Sequence, residues 1–158
     1  MIFKNKRDER CWKFVHEKLR SNIEETDRYC QDKHGLELVI TDTVRTFSEQ
    51  TAMNNALIAK DPTYKAPKGG VHCYGNGADA GQYSADGHRF TPEQMNDVQM
   101  WYNARFPYGF GAIKSCLIHV GTALHFHFQI NSRLYGIGYN PDNQEAMKVV
   151  LEAIRGQG

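Results

Sequence analysis

Residues 124–130 read "LHFHFQI", a strict alternation with two phenylalanines in phase. Alternation of period two belongs to a strand, because successive side chains point to opposite faces. Phe126 and Phe128 then share one face, and His125 and His127 share the other. Such a strand packs its aromatic side inward and leaves the side carrying the imidazoles toward water.

The rest of the chain supplies the elements for a sheet and its cover. Trp12, Val15, Leu19 and Ile23 recur at three- and four-residue spacing, which predicts an amphipathic helix over 8–33, stopped by Gly35. "LELVITDTV" (36–44) is rich in Val, Ile and Thr and reads as a strand. Ser48 is read as the cap of a helix over "EQTAMNNALIAK", followed by a loop over 61–70. "GADAGQY" (77–83) is short and extended. Thr91-Pro92-Glu93-Gln94 is a capping signal with proline at the first helical position, opening a helix to about Arg105. "PYGFGA" (107–112) reads as a turn, and "SCLIHVG" (115–121) as a strand joined tightly around Gly121 to "LHFHFQI". Asn140-Pro141 opens a last helix over 141–155. The expected class is α+β, a small antiparallel sheet flanked by helices packed on one side, in a single domain over 1–158.

Composition narrows the function. A chain of 158 residues is long enough to bury a real core. The net charge is +1 without a basic block, so neither nucleic acid nor an anionic membrane is the expected partner, and a monomer is expected. The first ten residues hold no apolar run, so no signal peptide is expected, and no stretch is long enough to span a membrane. Synthesis in the cytoplasm follows, with export or release by other means if the protein acts outside. Cys11, Cys30, Cys73 and Cys116 form no C-x-x-C pair, which excludes a cysteine zinc knuckle. Reduced thiols are the simplest reading; two disulfides are allowed but not demanded.

"GGVHCYGNGADAG" (69–81) is glycine-rich but lacks the Lys-Ser/Thr that completes a phosphate loop. It carries His72 and Asp79, seven residues apart. Zinc takes imidazole nitrogen and carboxylate oxygen, and a catalytic zinc has three protein ligands plus water. Gly75 and Gly77 permit the sharp turn that brings His72 and Asp79 onto one ion. The segment reads equally as a surface turn with an incidental histidine. A third ligand is available from His125 or His127, and His119 on the preceding strand is a further candidate. Arg45 follows the end of a strand and Gln50 lies on the next helix; such an arginine grips a carboxylate or forms a surface salt bridge.

Together these segments resemble the zinc peptidase family of D-Ala-D-Ala carboxypeptidases and L-alanyl-D-glutamate endolysins, which shares its fold with the hedgehog signalling domain. The family segment Ser-x-His-x-x-Gly-x-Ala-x-Asp is similar to Gly70 through Asp79, with Gly70 and Gly77 replacing Ser and Ala. The family arginine, followed five residues on by glutamine, matches Arg45 and Gln50 in "VRTFSEQ". The family strand ending His-Phe-Gln matches His127 to Gln129. The resemblance spans about residues 36–131. It implies zinc held by His72, Asp79 and His127. It also implies a substrate grip by Arg45, substrate orientation by Gln50 and Tyr74, and proton transfer by His125 or His119. The implied reaction is amide hydrolysis in peptidoglycan stem peptides, by a phage lysis enzyme or a virion-associated wall hydrolase.

One departure bears on that chemistry. Family members carry a catalytic carboxylate shortly before the last ligand, usually three residues earlier. That position is Leu124 counted from His127 and Thr122 counted from His125, and Gly121 stands where the hedgehog acid lies. No Asp or Glu occurs between Gly111 and Asn140. Either His125 transfers the proton, or an acid from elsewhere such as Glu49 or Asp86 reaches the site, or the domain binds zinc without hydrolysis, as a structural or wall-binding module.

Overall fold

A computed structural model of the chain describes residues 1–65, 70–106, 110–115, 124–130 and 141–156, with residues 110–115, 141 and 142 described by their backbone. The class is α+β. The chain opens with a short strand β1 (Ile2–Phe3), a helix α1 (Lys6–Cys11), a 3-10 turn (Trp12–Phe14) and a long helix α2 (Glu17–His34). Then come β2 (Val39–Asp42), α3 (Phe47–Lys60), a second 3-10 turn (Val71–Tyr74) and β3 (Gly77–Gly81). The described chain closes with α4 (Pro92–Arg105), β4 (Phe110–Ser115), β5 (His125–Ile130) and α5 (Pro141–Gly156).

The five described strands form one sheet in the order β1-β2-β3-β5-β4. The expected antiparallel sheet is mixed, because β1 runs parallel to β2, with Ile2 beside Val39 and Phe3 beside Ile40. The other pairings are antiparallel. Two residues of strand are too short to give a periodic signal, so β1 was not legible. Phe110–Ala112, expected within a turn, lie in β4. Strand pairing with β5 outweighs the Gly-rich local pattern there. The expected strand over 115–121 and the tight connection at Gly121 lie outside the described residues, apart from Ser115.

The expected single helix over 8–33 is broken. Val15 and His16 are extended, and the His16 ring nitrogen accepts from the Lys18 N–H to cap α2. The His16 N–H donates to the Gly75 carbonyl at 2.8 Å, so a tertiary contact holds the break open. Helix α3 begins two residues earlier than expected. Thr46, not Ser48, is its cap, in a reciprocal box with Glu49. The same box closes α4 through Thr91 and Gln94, with proline in the first turn.

The apolar sheet face carries Leu38, Ile40, Ala78, Ala80, Phe126, Phe128 and Ile130, all buried. Leu19 and Ile23 of α2, and Met95, Val98 and Tyr102 of α4, belong to the same core. The β3–β5 register sets Ala80 opposite Phe126 and Ala78 opposite Phe128, a small residue facing each large ring. The same register sets Asp79 opposite His127 and Gly81 opposite His125 on the other face. A slip of one residue would turn the phenylalanines out and the imidazoles in, so burial of the rings holds the polar set in place. No helix of the described residues is long and apolar enough to cross a membrane. Cys11, Cys30 and Cys73 are buried and free.

Candidate metal centre

His72, Asp79 and His127 converge, each offering a ligand atom within 4.8 Å of the others. Asp79 and His127 are cross-strand neighbours on β3 and β5. His72 reaches them from the 3-10 turn that precedes β3. The turn ends at Gly75, whose φ of 74° is the left-handed conformation glycine favours. A side chain there would also meet the Phe14 carbonyl. Gly77 lacks this dihedral requirement; it admits the close approach of the Val71 side chain, which a Cβ would strike. The two glycines of the motif thus serve different ends, one for the turn and one for contact.

The hydrogen bonds orient each imidazole. His72 Nδ1 donates to the Thr43 carbonyl at 2.6 Å, leaving Nε2 toward Asp79 Oδ2 at 3.4 Å. His127 Nε2 donates to Gln129 Oε1 at 3.0 Å, leaving Nδ1 toward Asp79 Oδ1 at 2.8 Å. In metal sites the ligating histidine usually donates its other ring N–H to an oxygen acceptor, and both rings meet that pattern. A tetrahedral ion with bonds of about 2.0–2.1 Å asks for donor atoms roughly 3.4 Å apart; the His72–Asp79 separation is 3.4 Å, and the 2.8 Å hydrogen bond between His127 and Asp79 would open to admit the ion. Residues, spacing and outer partners therefore fit a small divalent cation.

The charges are coupled. Burial acts to lower the His72 pKa, but the Asp79 carboxylate, by charge and hydrogen bond, reverses this and leaves it raised. Burial acts to raise Asp79, but His72 and His127 hold it well below the usual carboxylate range. Asp42 contributes to the His72 shift and faces Asp79 across the β2–β3 pair.

Arg45 stands beside this cluster, its backbone N–H donating to the His72 carbonyl at 3.2 Å. Its guanidinium is paired with Asp42 and donates to Gln50 Oε1 at 3.0 Å. Gln50 is buried, and its amide donates to Asn54 while its carbonyl oxygen accepts from Arg45. Tyr74 shares the His72 turn, but its ring lies edge-on to Phe47 at 6.1 Å and it is outside the three-residue cluster. His125 Nε2 is 3.7 Å from Asp79 Oδ2, beside the cluster on the same sheet face. His119 lies outside the described residues.

The two alternative acids are engaged elsewhere. Glu49 accepts from Arg7 and from the Thr46 N–H, and Asp86 pairs with Ser84 and His88 on an exposed turn. Asp42, Thr43 and Gln144 were not singled out in the sequence. Asp42 had one visible signal, an acid at the end of a strand three residues before Arg45. Gln144, buried on α5, accepts from the Phe47 N–H and donates to the Arg45 and Cys73 carbonyls. Asp8, buried on α1, accepts from both the N–H and the hydroxyl of Thr43 at 3.0 and 2.9 Å. It thereby steadies the carbonyl that aims His72.

No protein-family model matches the chain, and no curated protein matches its sequence.

Proposed function

We propose that this chain is a zinc-dependent peptidase of the hedgehog/DD-peptidase fold. It would hydrolyse an amide bond in peptidoglycan stem peptides, as a carboxypeptidase or endopeptidase, in phage lysis or on a virion. The observation that carries this reading is the convergence of His72, Asp79 and His127, with Arg45 beside them, in the motif order described above. Two imidazoles and a carboxylate are a donor set of catalytic zinc. Zinc bound there would supply Lewis acidity toward a carbonyl and lower the pKa of water. His72 Nε2 and His127 Nδ1 are the donor atoms the hydrogen bonds leave open. Arg45, its guanidinium steadied by Asp42 and Gln50, offers positive charge to a substrate carboxylate or a developing oxyanion. His125, beside Asp79 rather than in the ligand set, carries the proton between water and the leaving amine.

A second reading has its own support. The family acid is absent, and Asp42, the remaining carboxylate beside the cluster, is neutralised by Arg45. A zinc-bearing structural or wall-binding module would have this arrangement. Digestion of purified peptidoglycan with and without chelator, alongside His127→Ala, separates the two. The peptidase releases new amine groups, and both the chelator and the substitution abolish the release. Zinc-loaded protein that releases none is the binding module.

A further inference from the structure

A groove of about 630 Å³ opens on the ligand-bearing face of the sheet, with Asp79 and His125 at one end. It runs across the strands, over Gly81 and Thr41, to Ile2 and Lys4 on the edge strand and its flank, and Tyr83 forms a wall. Strands lie about 4.8 Å apart, so Asp79 on β3 and Lys4 beyond β1 are separated by two spacings, about 10 Å. An extended peptide covers that in about three residues.

The lining has a distinct chemistry. Ile2 is 42% exposed and Tyr83 52% exposed, so two large apolar side chains left to water among the described residues border this one groove. The lining carries one carboxylate, Asp79, which belongs to the metal cluster, and one cationic side chain, Lys4. The Lys4 ammonium joins none of the ion pairs among the described residues, as is also true of Lys6, Lys13, Lys18 and Lys60, but of these Lys4 alone borders the groove. Gly81 keeps the floor open beside His125, its register partner. A Cβ at 81 would crowd the Thr41 methyl at 3.2 Å.

We propose that this groove is a substrate subsite for an extended peptide bearing a carboxylate about two to three residues from the bond at the metal centre, with Lys4 pairing that carboxylate. The inference rests on the peptidase reading for its orientation, but the binding preference is measurable without turnover. Apolar walls hold the peptide backbone and aliphatic stems, and the ammonium at the far end selects for the acid.

The probe is N-acetyl-Ala-Ala-Ala-Glu with an amidated C-terminus, compared with the same peptide carrying Gln in place of Glu, so that the two differ by one carboxylate. Binding is measured by calorimetry on the protein as purified, and again with chelator present so that hydrolysis does not obscure it. The acid should bind about fivefold more tightly than the amide, the scale of one exposed ion pair. Lys4→Ala should abolish the difference, and Lys4→Arg should restore it. Gly81→Val, which fills the floor, should weaken both peptides. Equal binding of acid and amide, no binding of either, or a preference that survives Lys4→Ala would overturn the subsite. A charge preference without peptidoglycan cleavage would keep the subsite and remove the peptidase. Cleavage without a preference would do the reverse.

Discussion

A backbone carbonyl can only accept, so the 2.6 Å contact with Thr43 requires a proton on His72 Nδ1 and leaves Nε2 for a cation. In the metal-free protein Asp79 raises the pKa of His72, which favours a proton on Nε2. The two shifts have opposite consequences. His72, raised, contributes stability that is full below the ordinary imidazole value of about 6.5 and is lost as pH rises through its folded pKa. Asp79, depressed, contributes stability that is present above about 3.9 and is lost as pH falls through its folded value. Chelated protein should therefore lose part of its advantage over chelated His72→Gln as pH rises past neutrality, which thermal unfolding across a pH series will read. Zinc competes with protons for the imidazole nitrogens, so its uptake should tighten with rising pH; a pH-independent affinity would contradict the ligand assignment. Gln129→Ala removes the acceptor of His127 Nε2 and should weaken zinc binding about 10- to 100-fold without unfolding the chain. His72, Asp79 and His127 were visible in the sequence because each lies in a local pattern. Thr43 was not, and Asp42 showed only as an acid three residues before Arg45, because their roles arise only when β2 is laid beside β3 and the His72 turn folds back on it.

Local signals carried most of the secondary structure and failed where a tertiary contact decided the outcome. The Pro92 helix announced itself through its capping box, and β5 through its alternation. The break between α1 and α2 did not, because apolar spacing continues from Trp12 through Val15 to Leu19 while the chain is held extended by the Gly75 loop. That contact joins the first quarter of the chain to the His72 turn. Gly75→Ala should test it: the methyl meets the Phe14 carbonyl in a left-handed backbone, at a cost of about 1–3 kcal/mol. Denaturant unfolding should show that loss, and zinc affinity should fall with it, since the same turn aims His72. Unchanged stability would mean that the loop does not dock on the Phe14–His16 break.

The α+β class and the amphipathic cover were readable because burial follows period, whereas the mixed pairing of β1 and the reach of the terminal helices were not. Asp8 on α1 steadies Thr43 behind His72, and Gln144 on α5 ties the backbones of Arg45, Phe47 and Cys73. These contacts span 35 to 99 residues in sequence, so no local pattern announces them. They make the centre a product of the whole chain rather than of its motif segment, one assembly proposed to hold one metal ion. Zinc content of protein purified without chelator, measured beside His127→Ala and His125→Ala, tests it most directly. About one zinc per chain is expected in the unsubstituted protein and in His125→Ala, with a loss in His127→Ala. Metal-free unsubstituted protein, or full zinc retained by His127→Ala, would contradict it.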